Sequence, residues 1–199
     1  MRWDEALKQI ERAVELDPFS QIINLNHAHY YRRKGDYDKA LELYKKAVEL
    51  DPNFAMAHFD LAVAYGTMKR LADMKREAKI AIERGTREAK IAVGLGRASY
   101  HRPVKILDVL VAYFEDDKEK VRKLLHELEA HFGEPLAISA LQAAGLHFYL
   151  GESEKGFEWL EKSYSRKEDD LFYIKTDELF NSIRGDPRYQ ELLKRIGLG

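Results

Sequence analysis

Apolar residues recur at three- and four-residue spacing along almost the whole chain, which is the period of an amphipathic α-helix. No stretch alternates apolar and polar residues for long enough to indicate a strand. One predicted helix, within residues 21–34, ends at Gly35, a residue suited to the left-handed conformation that closes many helices. The next, within 37–51, ends before Pro52, because proline cannot continue a helix. The pattern predicts an all-α chain of antiparallel helix pairs joined by short turns.

An internal repeat organises these helices. The letters AVELDP occur at residues 13–18 and again at 47–52, which is 34 positions later. When residues 3–18 are aligned with 37–52, nine of the 16 pairs are identical. A fixed period of this size is typical of stacked supersecondary units that share one continuous core.

The second unit resembles the tetratricopeptide repeat, with small residues, tyrosines and a closing proline at the characteristic positions: Ala28, Tyr31, Ala40, Tyr44 and Pro52. Asn24 and His27 depart from the Trp and Leu of that pattern. The resemblance implies a right-handed α-α superhelix, that is, a solenoid of antiparallel helix pairs.

We expect a single tetratricopeptide-like domain over residues 1–199, built from seven segments. A half repeat covers 1–20, repeats cover 21–54 and 55–86, an irregular insertion covers 87–101, a degenerate helix pair covers 102–134, a further repeat covers 135–168, and a C-terminal cap covers 169–199. The cap resembles the segment FxxLRxDPRFxxLLxRxG that closes many prokaryotic tetratricopeptide arrays, through Phe180, Ile183, Arg184, Asp186, Pro187, Arg188, Tyr189, Leu192, Leu193, Arg195 and Gly197. A solenoid needs such a cap because its last repeat otherwise exposes an apolar face.

The amino-acid composition excludes several classes of function. The chain is 45% hydrophobic and 34% charged, which suits a folded domain, and it has no cysteine, which excludes disulfides, thiolate zinc sites and cysteine nucleophiles. The seven histidines lack metal-ligand spacing, and no nucleophile, base and orienting group form a recognisable set. We therefore expect no enzymatic activity, no catalytic residue, no metal and no cofactor. With no secretory signal and no apolar membrane span in the sequence, the expected location is the cytoplasm, and the high Lys and Glu content with no cysteine fits a thermophilic source.

The predicted function is a protein–protein interaction scaffold, because first helices in such arrays line a groove that receives a peptide or helix of a partner protein. The candidate groove residues point away from the contact within each helix pair: Leu25, Asn26, His29, Arg32, Arg33, Met56, Phe59, Asp60, Val63, Tyr113, Phe148 and Tyr149. The apolar members fit equally well in the core between repeats. A terminal carboxylate is excluded as the ligand, because Asp60 and Met56 stand where such a ligand needs cations.

The alternative function is binding of nucleic acid or an acidic partner through residues 69–105, which hold 11 Lys or Arg against 4 Asp or Glu. Its candidate residues are Arg84, Arg87, Lys90, Arg97, Arg102 and Lys105. A solvated helix face with intrahelical ion pairs explains the same run, and few aromatic residues interleave it, so nucleic acid is the weaker expectation. A second copy of the chain is a further candidate partner, in a homodimer formed through the uncovered face of residues 3–16.

Overall fold

The computed structural model describes residues 3–94, 104–133 and 138–199, with backbone alone for residues 86–94, 104, 105 and 169. The chain divides into two compact units, 1–116 and 117–199. Every regular element in the described ranges is a helix. The single domain and the segment boundaries given above stay predictions.

The described residues of unit 1 form six helices: α1 (Trp3–Leu16), α2 (Gln21–Lys34), α3 (Tyr37–Leu50), α4 (Ala55–Thr67), α5 (Leu71–Gly94) and α6 (Val104–Phe114). Helices α2 and α3 form one closely packed pair, and α4 and α5 form another. Helix α4 also contacts both α2 and α6, so the first helices of successive pairs are neighbours. This pairwise packing of consecutive helices confirms the predicted all-α, tetratricopeptide-like solenoid.

Local signals define the ends of the first pair. The Ser20 hydroxyl accepts a hydrogen bond from the Ile23 amide and so caps α2, while Gly35 closes the helix with φ of 81°. The Asp36 carboxylate then accepts a hydrogen bond from the Lys39 amide at the start of α3. One left-handed residue and one capping residue therefore suffice for the turn between α2 and α3.

Small residues allow the helices of unit 1 to approach closely. Ala28 and Ala40 are completely buried between α2 and α3, with Tyr44 filling the adjacent space. Gly66 on α4 lies directly against the ring of Phe114 on α6, where an added Cβ would stand only 2.5 Å from two ring carbons. The contact between α4 and α6 at this point requires a residue without a side chain.

Helix α5 is longer than the pattern suggests. Residues 87–94, the first part of the predicted irregular insertion, form the last turns of α5, which continues without a break through Gly94. Thr86 stands where a repeat would place its closing proline, and threonine does not stop a helix. Residues 95–101 lie outside the described part of the chain.

Unit 2 contains α7 (Lys118–Glu129), α8 (Ala140–Leu150), α9 (Ser153–Arg166), two 3₁₀ helices (Asp169–Lys175 and Glu178–Ile183) and α10 (Pro187–Arg195). Helix α8 is buried along almost its whole length, because α7, α9 and the second 3₁₀ helix all pack on it. Ser139 and Gln142 form a capping box at its start. The Glu168 carboxylate accepts hydrogen bonds from the Ala140 and Leu141 amides, which satisfies two more of the free donors there.

The C-terminal helix keeps a fixed spacing from α9. Arg188 pairs with Glu154 at 3.0 Å, and Arg195 pairs with Glu161 at 2.6 Å, in both cases across 34 residues. Asp186 caps α10 by accepting a hydrogen bond from the Arg188 amide. The 34-residue period of the N-terminal repeats therefore recurs as contacts between α9 and α10.

Candidate functional site

One surface of unit 1 is built from the first helices of successive pairs. We define the first-helix surface by its fully or partly exposed members on α2, α4 and α6: Asn26, His29, Arg32, Arg33, Met56, Val63 and Tyr113. Residues 26, 29 and 33 follow helical spacing and so share one face of α2, and residues 56 and 63 do the same on α4. Because α4 contacts both α2 and α6, these faces lie next to one another.

Four predicted groove residues belong to the interior instead. Leu25, Phe59 and Asp60 are buried in unit 1, and Phe148 is buried in unit 2. The core placement that the sequence left open for apolar residues therefore describes the position of three of them. Tyr149 is half-buried, and the Lys118 ammonium lies 5.4 Å from the centre of its ring.

Phe148 illustrates why the helical period alone misplaces a side chain. Its ring occupies the space above Gly156 on α9, where an added Cβ would stand 2.5 Å from the ring. It also packs edge-on against Phe157 and Phe180, with ring centres 5.1 and 6.0 Å away. Because residue 156 has no side chain, the interior has room for the Phe148 ring.

Asp60 is paired rather than free. Its Oδ2 atom lies 2.9 Å from Nε2 of His29, which joins α4 to α2, although the angles fall short of hydrogen-bond geometry. Burial and then the Asp60 charge raise the pKa of the Tyr44 phenol, and the nearby Arg32 opposes this effect. Tyr44 is therefore neutral, and its ring lies edge-on to His29 at 5.6 Å.

The charge of the first-helix surface is consequently positive. Arg32 and Arg33 contribute two permanent cations, and Asp60, a carboxylate on the neighbouring α4, is buried and lies against His29. Apolar Met56 and Val63 lie on the adjoining helix. Such a surface can bury apolar side chains of a ligand and attract negative charge next to them.

Residues 69–105, which we call the basic segment, present less unpaired positive charge than their composition suggests. Arg70 and Arg76 both bind the Asp73 carboxylate within α5, and these guanidinium groups lower the pKa of Asp73. Lys75 pairs with Glu115 at the end of α6. Ion pairing therefore engages three cations at the start of this run, although only the pair of Arg76 with Asp73 lies within one helix, as the alternative left open by the sequence required.

Among the six candidate residues of the basic segment, Arg84 is the one whose side chain the structure describes. The Nε atom of Arg84 is buried without a hydrogen-bond partner, so this side chain is turned partly inward. For Arg87, Lys90 and Lys105 only the backbone is described, and Arg97 and Arg102 lie outside the described residues.

Two buried histidines that the sequence did not single out connect helices. His58 on α4 contacts Glu77 on α5 at 2.7 Å through Nδ1 and the carbonyl of Pro52 at 3.1 Å through Nε2. Glu77 lies 19 residues away on another helix, so no local pattern reveals this contact. The contacts hold the second pair together, and they are structural.

His147 on α8 lies between two carboxylates. Its Nδ1 atom is 2.8 Å from Glu152 and its Nε2 atom 2.6 Å from Glu129, so it connects α7, α8 and the start of α9. Burial raises the pKa of Glu152, but hydrogen bonds from Arg122 and His147 and the charge of Lys155 outweigh it and lower the pKa overall. Among the described residues, no group of three or more His, Asp or Glu side chains is arranged to hold a metal ion.

The arrangement of the helices defines the class of protein. Stacked helix pairs with a 34-residue spacing and first helices side by side are the features of a helical repeat protein.

Comparison with protein families identifies the repeat. Residues 28–69, from the middle of α2 into the turn after α4, match the family model described as TPR repeat, and together with the helical architecture this match supports a tetratricopeptide-like protein. Repeats of this kind are general scaffolds for protein–protein interaction and are typically non-catalytic, which supports that general role here. No curated protein matches the chain significantly. None of the helices in the described ranges is both long and apolar enough to cross a membrane.

Proposed function

We propose that the first-helix surface of unit 1 binds a peptide or helical segment of a partner protein, without catalysis. The observation that supports this most directly is the position of the family match. Residues 28–69 include parts of α2 and α4 that carry His29, Arg32, Arg33, Met56 and Val63. The repeat and the proposed binding surface therefore come from the same helices.

The chemistry of the surface favours a particular kind of segment. Met56, Val63 and Tyr113 supply apolar area for one or two anchoring side chains. The cations Arg32 and Arg33 on α2 lie beside this area, and Asp60 is buried against His29, so acidic residues next to the anchors are favoured. We expect the ligand to combine apolar anchors with flanking Asp or Glu.

A peptide library displayed on phage and selected on the intact chain tests the proposal. Selected peptides should be enriched in acidic residues beside large apolar ones, and their affinity can be measured by fluorescence anisotropy. Arg33→Glu should weaken binding about tenfold, or ~1.4 kcal/mol. Lys46→Glu is the matched control, since Lys46 is exposed on α3, away from the first-helix surface. Circular dichroism must show equal helix content in both variants. Equal loss of affinity in both, or none in either, would contradict the proposed surface.

The basic segment gives a way to distinguish the alternative function. Charge reversal at Arg87 and Lys90 should abolish binding of nucleic acid or an acidic partner if that segment is the site, and should leave the selected peptides bound. No contact in the described part of this segment favours nucleic acid, because Arg70, Lys75 and Arg76 are already ion-paired.

A further inference from the structure

Unit 2 contains a small apolar cavity at the C-terminal ends of α9 and α10, beside the first 3₁₀ helix. Its volume is about 180 Å³, and it is lined by Tyr164, Lys167, Glu168, Leu171, Phe172 and Ile196. Pockets for drug-sized ligands are larger, roughly 300–1,000 Å³. An engineered protein cavity of roughly 150 Å³ holds one benzene molecule, so this cavity has the size of a single aromatic ring. We call it the C-terminal cavity.

Unit 1 exposes an aromatic side chain that matches this size. Phe19 is 77% exposed, the highest value among the large apolar residues of the described chain. Leu16 at 70% and Ile22 at 56% flank it, and we call these three residues the N-terminal knob. A cluster of exposed apolar side chains of this kind indicates a contact surface.

The turn that carries Phe19 is held rigidly. The side-chain amide of Asn24, which is fully buried, donates hydrogen bonds to the carbonyls of Pro18 at 3.0 Å and Ser20 at 2.8 Å. Ser20 also caps α2. Because the turn is already ordered, docking of Phe19 loses little backbone entropy.

Two exposed cations lie at the C-terminal cavity. Lys167 lines it, and Arg166 directly precedes Lys167 in the chain. Glu168 also lines the cavity, and its carboxylate accepts hydrogen bonds from the first amides of α8 and lies 3.9 Å from the Arg166 guanidinium. With two cations against this carboxylate, the rim of the cavity carries a net positive charge.

Exposed carboxylates flank the N-terminal knob. Glu15 and Asp17 lie on either side of Leu16 and are both exposed, and one cation, Arg12, pairs with Glu15 at 2.8 Å. The knob and the cavity thus match in size, in apolar character and in the sign of their charge.

We propose that two copies of this chain associate head to tail, with Phe19 of one copy inserted in the C-terminal cavity of the next. The contact is heterologous, because two different surfaces meet, and so each copy keeps one unused knob or cavity. It differs from a symmetric dimer through residues 3–16, and it uses none of the residues of the first-helix surface.

Complementation between two variants of the intact chain tests this. Phe19→Asp removes the knob, and Phe172→Asp, at a residue that is 54% exposed, places a negative charge at the cavity. In sedimentation velocity at low salt, the average mass of the wild type should rise with concentration and fall when salt is added. Each variant alone should be monomeric where the wild type associates, since each change weakens the contact by about tenfold or more.

An equimolar mixture decides between the two geometries. Phe19→Asp retains a cavity and Phe172→Asp retains a knob, so the mixture should form 1:1 dimers and nothing larger. Lys167→Glu, at an exposed rim residue, provides a second cavity variant should Phe172→Asp lower the helix content. A wild type that stays monomeric, a mixture that stays monomeric, or cavity variants that associate as the wild type does would each overturn the proposal.

Discussion

The close approach of α4 and α6 at Gly66 leads to a quantitative prediction about stability. Replacing glycine by alanine inside a helix ordinarily stabilises it by about 1 kcal/mol. At Gly66 the new methyl group would meet the Phe114 ring at 2.5 Å, and the ring must move. Overpacking of this kind costs about 1–3 kcal/mol. We expect Gly66→Ala to be neutral to destabilising, by up to ~2 kcal/mol.

Gly85 is the matched control, since it lies within α5 of the same unit. Among the side chains that the structure describes, an added Cβ there meets nothing closer than the Ala55 methyl at 3.8 Å, an ordinary contact. Gly85→Ala should therefore stabilise by about 0.5–1 kcal/mol. The helix contribution cancels between the two variants, so their difference measures the overpacking at Phe114.

Thermal and urea unfolding followed by circular dichroism measure both variants. Each 1 kcal/mol corresponds to a change in Tm of about 2–4 °C for a chain of this size. The double variant Gly66→Ala/Phe114→Leu should be more stable than the sum of its single changes by about 1 kcal/mol or more, because the smaller side chain yields space. If Gly66→Ala stabilised the protein as much as Gly85→Ala, the packing argument would be wrong.

Three further predictions concern buried polar groups. His147→Ala should destabilise by about 2–3 kcal/mol in urea unfolding, because two carboxylates lose their partner, whereas the exposed His126→Ala should change stability by less than ~0.5 kcal/mol. Asn24→Ala should cost about 1–3 kcal/mol without affecting peptide affinity, and Asn26→Ala, on the first-helix surface, should show the reverse in anisotropy and unfolding measurements. The lowered pKa of Glu152 means that its ionised form stabilises the fold above its usual value of 4.5, and this stabilisation is lost as the pH falls through the folded pKa. The stability advantage of the wild type over Glu152→Gln should therefore be constant at neutral pH and shrink on acidification, and a constant difference down to acidic pH would contradict it.

The parts of the fold that the sequence predicts well depend on local chemistry. Gly35 closes α2 and Asp186 caps α10 as the pattern indicates, because a helix terminus is decided by a few neighbouring residues. The period of apolar residues likewise gives the helices of the first two pairs. No local signal stops α5 near Thr86, and the helix continues past the expected repeat boundary.

The surface was harder to predict because its details depend on contacts between distant residues. Helical spacing places Asp60 on the exposed side of α4, but the pairing with His29, 31 residues earlier, follows only from the packing of α2 against α4. Phe148 is buried because Gly156 leaves room for it, and a single side-chain volume on another helix decides that. The period of a helix gives the direction of a side chain, whereas the neighbouring helix decides whether that direction leads to solvent.

The ion pairs Glu154–Arg188 and Glu161–Arg195 have a consequence for the tolerance of the tail to change. Both pairs join residues with the same separation, so α9 and α10 run in the same direction with a constant stagger, although the segment 169–183 between them consists mostly of two 3₁₀ helices rather than an α-helix. That segment therefore acts as a spacer of fixed length. Substitutions at its exposed positions leave both ion pairs in register. A deletion in this segment would shift α10 along α9 and break both ion pairs together. In this part of the molecule, the number of residues matters more than their identity.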